Sequence, residues 1–221
     1  MELKVSNAAK SFGKKALFQG LNFTLKQGEV LGLFGRNGSG KSTLLKMIFG
    51  VTKADAIRLE VGEQTVAPKD IIPKRLIAYL PQERFVPKRM LVRDMIAMCH
   101  QDEATLDKIF YSPGITKMET QRCGQLSEGQ LKYLEILLIA YLDHPFLMLD
   151  EPFSMIDPLY KDLIKELITG LKTTKGILLT DHYYDDVLQI ADRSYLLHEG
   201  AIREVQGEEE LRKEGYLPGK R

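Results

Sequence analysis

The sequence predicts an α/β fold with a parallel-sheet core and a small inserted helical lobe. Three observations carry this. An apolar run, Val30-Leu31-Gly32-Leu33-Phe34, passes through a glycine-rich turn into a helix beginning near Lys41. A second apolar run, Phe146-Leu147-Met148-Leu149, lacks polar alternation and so fits a parallel strand covered on both faces. Between them, residues 84–124 change character: Pro87, Pro113 and Gly114 punctuate short helical patterns.

In chain order, Leu3 to Ser6 reads as a short strand, and Phe12 follows in the turn KSFGKK. Leu21, Phe23 and Leu25 alternate with polar Asn22 and Thr24, as in a half-buried strand. Gln27-Gly28-Glu29 turns the chain into the Val30 strand. The helix from Lys41 to Phe49 stops at Gly50, a residue suited to a helix end. Ala56 to Val61 and Leu76 to Leu80 are strands, with Gln82 just past the second. Inside the lobe, Val92 to Met98 and Ala104 to Phe110 are the clearest helices. Gln125-Leu126-Ser127-Glu128-Gly129-Gln130 then opens a helix with Leu131, Leu134, Leu138 and Tyr141 at helical spacing. A helix from Pro158 to Gly170, a strand from Gly176 to Thr180 and a helix near Asp185 to Ala191 follow. Strands Ser194 to His198 and Ala201 to Val205 and a charged helix from Glu208 end the chain.

Composition narrows the function. At 221 residues, 44% hydrophobic and 28% charged, the chain has material for one domain or two small lobes. A net charge of +1 gives no reason to expect nucleic acid or an anionic membrane as a bulk electrostatic partner. Two cysteines, Cys99 and Cys123, without a secretory signal predict a reduced, cytosolic chain. Cys99-His100 has no second cluster to complete a metal site, so a structural role is expected. The longest apolar run, Ile136 to Leu142, is too short to cross a bilayer; work on a membrane would need a spanning partner.

Gly35, Gly40, Lys41 and Ser42 fit G-x-x-x-x-G-K-[ST], a phosphate-binding loop. Glycines let backbone N–H groups reach phosphate oxygens, and the following helix aims its positive dipole end at the same point. Lys41 adds charge for the β- and γ-phosphates, and the Ser42 hydroxyl is placed to ligate Mg²⁺. Asp150 ends the buried apolar strand, where parallel sheets place ligand-binding groups, and can hold Mg²⁺ opposite Ser42. Glu151 can face the γ-phosphate and act as general base toward water. A phosphate cradle, a metal-holding carboxylate and a water-directing group are the parts phosphoryl hydrolysis requires.

With Leu126-Ser127-Glu128-Gly129-Gln130, the sequence resembles the nucleotide-binding subunit of an ATP-binding cassette (ABC) ATPase, whose signature is LSGGQ. The resemblance runs from Leu3 to about Val205. It implies a phosphate-loop NTPase core, with a RecA-like parallel sheet and an antiparallel β subdomain. The core would span residues 1–83 and 125–221, with a helical subdomain at about 84–124. It implies that Phe12 stacks on adenine, and that Gly35, Arg36, Asn37, Gly38 and Ser39 cradle the phosphates of ATP with Gly40, Lys41, Ser42 and Thr43. Gln82 matches the glutamine that touches Mg²⁺ and the attacking water, and His182 the switch histidine that contacts the γ-phosphate. Asp157, in Ser154-Met155-Ile156-Asp157, matches the loop that crosses to a second cassette.

The resemblance further implies two cassettes sandwiching ATP head to tail, as homodimer or heterodimer, with each signature facing the other chain's ATP. An integral-membrane permease subunit would be the driven partner, and the cassette would sit on the cytoplasmic face of the membrane. Apolar lobe residues such as Met90, Leu91, Met95 and Met98 would line its groove or pack the lobe. A soluble ABC ATPase of cofactor assembly is the alternative. A non-hydrolysing cassette is disfavoured by the intact Lys41, Asp150, Glu151 and His182. Glu128 departs from the signature by replacing its first glycine, and its side chain is expected to point away from the nucleotide because like charges repel.

Overall fold

The structure, a computed structural model, describes residues 1–218, so the last three positions of the expected 1–221 domain lie outside the described residues. A six-stranded sheet forms the core. Its strand order is β10 (Ala201–Val205), β9 (Arg193–His198), β3 (Val30–Phe34), β8 (Gly176–Thr180), β7 (Phe146–Asp150), β6 (Ile77–Leu80). From β9 to β6 all neighbours are parallel, and β10 closes the other edge antiparallel to β9. A four-stranded antiparallel sheet lies beside it, in the order β2 (Lys15–Lys26), β1 (Glu2–Phe12), β4 (Ala56–Val61), β5 (Gln64–Val66).

Burial explains the apolar runs. Phe146 and Met148 of β7 face a core shared with the smaller sheet and helix α1 (Lys41–Ile48), which supplies Leu44, Leu45, Met47 and Ile48. Leu147 and Leu149 face the opposite core, against helices α5 (Glu128–Ala140) and α6 (Pro158–Leu171). With helices or sheet on both faces there is no solvent side for polar residues to occupy. At the end of α1, Gly50 holds a left-handed φ of +86°, and a Cβ there would stand 2.2 Å from the Pro68 carbonyl oxygen. Gly50→Ala is therefore expected to destabilise the chain by about 2–4 kcal/mol, read as a lower urea midpoint at unchanged m-value.

Between β6 and α5 lie α2 (Val92–Cys99), α3 (Glu103–Phe110) and α4 (Ile115–Met118). They pack Val92, Ile96, Ile109, Ile115 and Met118 into the core that also covers β7. Met95, proposed from sequence for the groove or the lobe interior, is 3% exposed and packs the lobe, whereas Met98 is 58% exposed. His100 is buried with Nε2 against the Leu138 carbonyl at 2.8 Å, which ties α2 to α5. The remaining helices are α7 (Tyr184–Leu188) and α8 (Gly207–Lys213).

The structure corrects three expectations. Leu3 to Ser6 is only part of β1, and Phe12 is not in a turn but is that strand's last residue, paired with Lys15. Register shifts between Val5 and Ser11, with Asn7 at φ 52°, break the alternation that sequence periodicity reads. Helix α5 has no single apolar face: nearly every residue from Gly129 to Ala140 is buried, because the lobe covers one side and the sheet the other. The hairpin strand β5 was not anticipated; its three residues are too short for a periodic signal.

Candidate functional site

The C-terminal ends of β3, β7 and β8 and the loop after β6 meet at one cleft of about 810 Å³, lined by Phe12, Gly40, Lys41, Ser42, Gln82, Glu151 and His182 among others. Asn37, Gly38 and Thr43 line it too. The phosphate loop enters α1 through Gly40 at φ +107°, where a Cβ would lie 2.8 Å from Leu17 and 2.9 Å from Phe18. Glycine is required there by both conformation and space. No side chain among the described residues caps α1 through Gly40, so its first N–H groups point at the cleft. Ser39 Oγ is buried without a hydrogen-bond partner among the described residues, and a Cβ at Gly35 would lie 2.5 Å from it. Unspent donors around a glycine loop fit a phosphate group. Arg36 instead turns to the chain end, donating to the Gly215 carbonyl at 2.6 Å.

Lys41 is buried and donates to the Gly35 carbonyl at 2.7 Å. Burial pushes its pKa down, and the carboxylates of Glu151, Asp150 and Asp181 act against that. Asp150 is fully buried and accepts three hydrogen bonds, which leaves an Oδ2 lone pair for a cation. Its Oδ1 accepts from Ser42 Oγ and Thr180 Oγ1, both at 3.0 Å, and its Oδ2 accepts from Tyr79 OH at 3.2 Å. Adjacent ligand oxygens on an octahedral Mg²⁺ with ~2.1 Å bonds lie about 3.0 Å apart. The Ser42–Asp150 pair therefore fits that ion.

Glu151 stands in the left-handed region, φ 57°, with its N–H bonded to the Thr180 carbonyl at 2.8 Å. A non-glycine residue held there is strained, and such strain concentrates at functional sites. It aims the carboxylate between two partners: Gln82 Nε2 at 3.0 Å and His182 Nε2 at 2.9 Å. Two residues a hundred positions apart in sequence thus converge on one carboxylate. Phe12 is 58% exposed at the cleft rim, with Lys10 Nζ 5.0 Å from its ring centroid, which leaves a ring face for a flat base.

Leu126, Ser127, Glu128, Gly129 and Gln130 do not line this cleft. Ser127 caps α5: its Oγ accepts from Gln130 N at 3.2 Å, and its N–H donates to Gln130 Oε1 at 2.8 Å. Gly129 is set by packing, since a Cβ would lie 2.8 Å from the Tyr160 ring and 3.0 Å from Asp157 Oδ2. Asp157 caps α6, accepting from Tyr160 N at 3.3 Å. Glu128 pairs with Arg84.

Sequence reasoning missed four residues. Tyr79 and Thr180 hold Asp150. Glu135, at 0% exposure, accepts from the Phe85 N–H at 3.1 Å, and burial pushes its pKa up. Arg84 is the fourth. Only Glu135 had a signal, a lone acid in an otherwise apolar helical stretch.

Fold and cleft together define a phosphate-loop nucleotide hydrolase. The family model for ABC transporters matches residues 18–154, which include the phosphate loop, Gln82, the signature, Asp150 and Glu151. The chain belongs to this family: it is an ATP-binding, ATP-hydrolysing subunit of an ABC transporter. A probable ABC transporter ATP-binding protein of Azorhizobium caulinodans is 34% identical over 205 residues, covering 88% of this chain and 73% of that protein. The lipopolysaccharide export system ATP-binding protein LptB of Haemophilus influenzae is 28% identical over 214 residues, 90% of this chain and 88% of that protein. A nucleotide-free ATP-binding cassette from an ABC transporter superposes with a TM-score of 0.83 at 26% identity, over 99% of this chain and 96% of that one. These relatives favour the transporter over the cofactor-assembly alternative. Among the described residues no helix is long and apolar enough to cross a membrane.

Proposed function

We propose that this chain forms half of each of two composite ATP sites in a head-to-tail pair of cassettes. The carrying observation is the displaced signature. Ser127 and Glu128 are exposed at the start of α5 and do not line the cleft that holds the phosphate loop, although Glu128 borders an adjoining cavity with Gln82 and Glu151. A two-fold pair brings one chain's signature to the other's cleft and completes both sites at once. Met155 and Leu159, 84% and 65% exposed, flank Asp157 and give that face an apolar contact.

In this reading Phe12 stacks on adenine, and the N–H groups from Gly35 to Thr43 with Lys41 hold the phosphates. Ser42, Asp150 and Gln82 hold Mg²⁺, which supplies charge neutralisation of the phosphates when bound. Glu151 takes the proton of the attacking water, Gln82 orients that water, and His182 contacts the γ-phosphate. Loss of the γ-phosphate removes the contacts that favour the closed pair. The membrane-spanning permease is a separate chain gripped beside the helical subdomain at 84–124, which places this subunit on the cytoplasmic face. The partner cassette is a second copy or a different cassette.

The base stack gives a clean test. Phe12→Ala is expected to raise the KM for ATP about tenfold, and Phe12→Tyr to stay within about twofold, because base–aromatic stacking is worth ~1–3 kcal/mol. An unchanged KM in the alanine variant would remove Phe12 from the site.

A further inference from the structure

The loop after β6 serves two places at once. Its Gln82 reaches Glu151 in this chain's cleft, with Nε2 3.0 Å from Oε2. Two residues on, Arg84 pairs with Glu128, the first residue of α5. One residue further, the Phe85 N–H donates to the buried Glu135 of the same helix at 3.1 Å. The loop is thus fastened to α5 by a buried anchor and a surface ion pair, about two helical turns apart.

Glu128 suits the helix end it occupies but has the wrong charge for a phosphate to approach there. It follows Ser127, the N-cap of α5, at the helix end whose dipole attracts anions. A free carboxylate there would compete with an incoming phosphate and repel it. We infer that Arg84 is a positioning residue that neutralises Glu128 and holds it aside, so that α5 presents an electrically neutral entry to the other chain's γ-phosphate. Because Arg84 and Gln82 share one loop, the same pair ties the approach of the second nucleotide to the water-directing group of the first.

The inference rests on the composite-site reading, and one experiment separates the two. ATP-dependent dimerisation is followed by sedimentation in a Glu151→Gln background, with Mg²⁺ and ~50 mM salt, for the parent, Arg84→Ala, Glu128→Gln and the double variant. The parent is expected to dimerise. Arg84→Ala should raise the ATP concentration for half-dimerisation about tenfold, the scale of one uncompensated charge beside a multiply charged phosphate. ATP binding to the monomer should be unchanged, since neither side chain lines the main cleft. In the Glu128→Gln background, loss of Arg84 should cost less than about twofold, and Arg84→Lys should retain most of the effect. At ~0.5 M salt the Arg84→Ala defect should shrink as the charges are screened. A parent that stays monomeric overturns the composite-site reading and this inference with it. A dimerising parent with no Arg84→Ala defect, or with an equal defect in the Glu128→Gln background, overturns the inference alone.

Discussion

Lys41→Ala is expected to weaken ATP binding at least about hundredfold, measured by titration of the purified chain with a fluorescent ATP analogue. Two effects add. The ammonium proposed to contact the phosphates is lost, and charge-assisted hydrogen bonds of this kind are worth ~1.5–3 kcal/mol each. In addition, Lys41 lies close to Glu151, Asp150 and Asp181, which oppose the cost of burying its charge. Removing it leaves those carboxylates facing the incoming phosphates without a counter-charge. Lys41→Arg should not restore affinity, because the side chain is 6% exposed and the buried space holds a compact ammonium rather than the larger planar guanidinium. Affinity that stays within a few-fold of the parent would remove the phosphate-loop assignment.

The second large effect falls on turnover. Glu151→Gln should lower kcat by about 10²–10⁴-fold, the usual contribution of a positioned general base, while ATP affinity stays within a few-fold. The amide is close to isosteric and keeps a partner for each of Gln82 and His182, so the cleft retains its shape. What it loses is the capacity to take a proton from water. A drop of less than tenfold would show that water is activated elsewhere.

The phosphate loop was legible because each part of its chemistry demands a residue type at a fixed offset. Gly40 must be glycine for its φ and its packing, and Lys41 and Ser42 must follow at once on the first helical turn. The buried strand before Asp150 was legible from composition alone, since both of its faces are covered. The first strand was not: its bulges and the positive φ at Asn7 leave no regular period to read. Residues that act by tertiary approach were also invisible. Tyr79 and Asp150 are 71 positions apart, and Arg84 and Glu128 are 44 apart; no local pattern links them before the fold does. The reason for Gly129 was hidden in the same way, because it lies in the ring of Tyr160. The departure at Glu128 stood out against the signature, but its neutralising arginine became visible only in three dimensions.

The composite site requires that ATP itself joins two chains. Sedimentation equilibrium of the Glu151→Gln chain with saturating ATP and Mg²⁺ tests it most directly. A species of twice the monomer mass is expected with ATP, and reversion to monomer with ADP. A chain that binds ATP stoichiometrically yet remains monomeric at every concentration tested would contradict it.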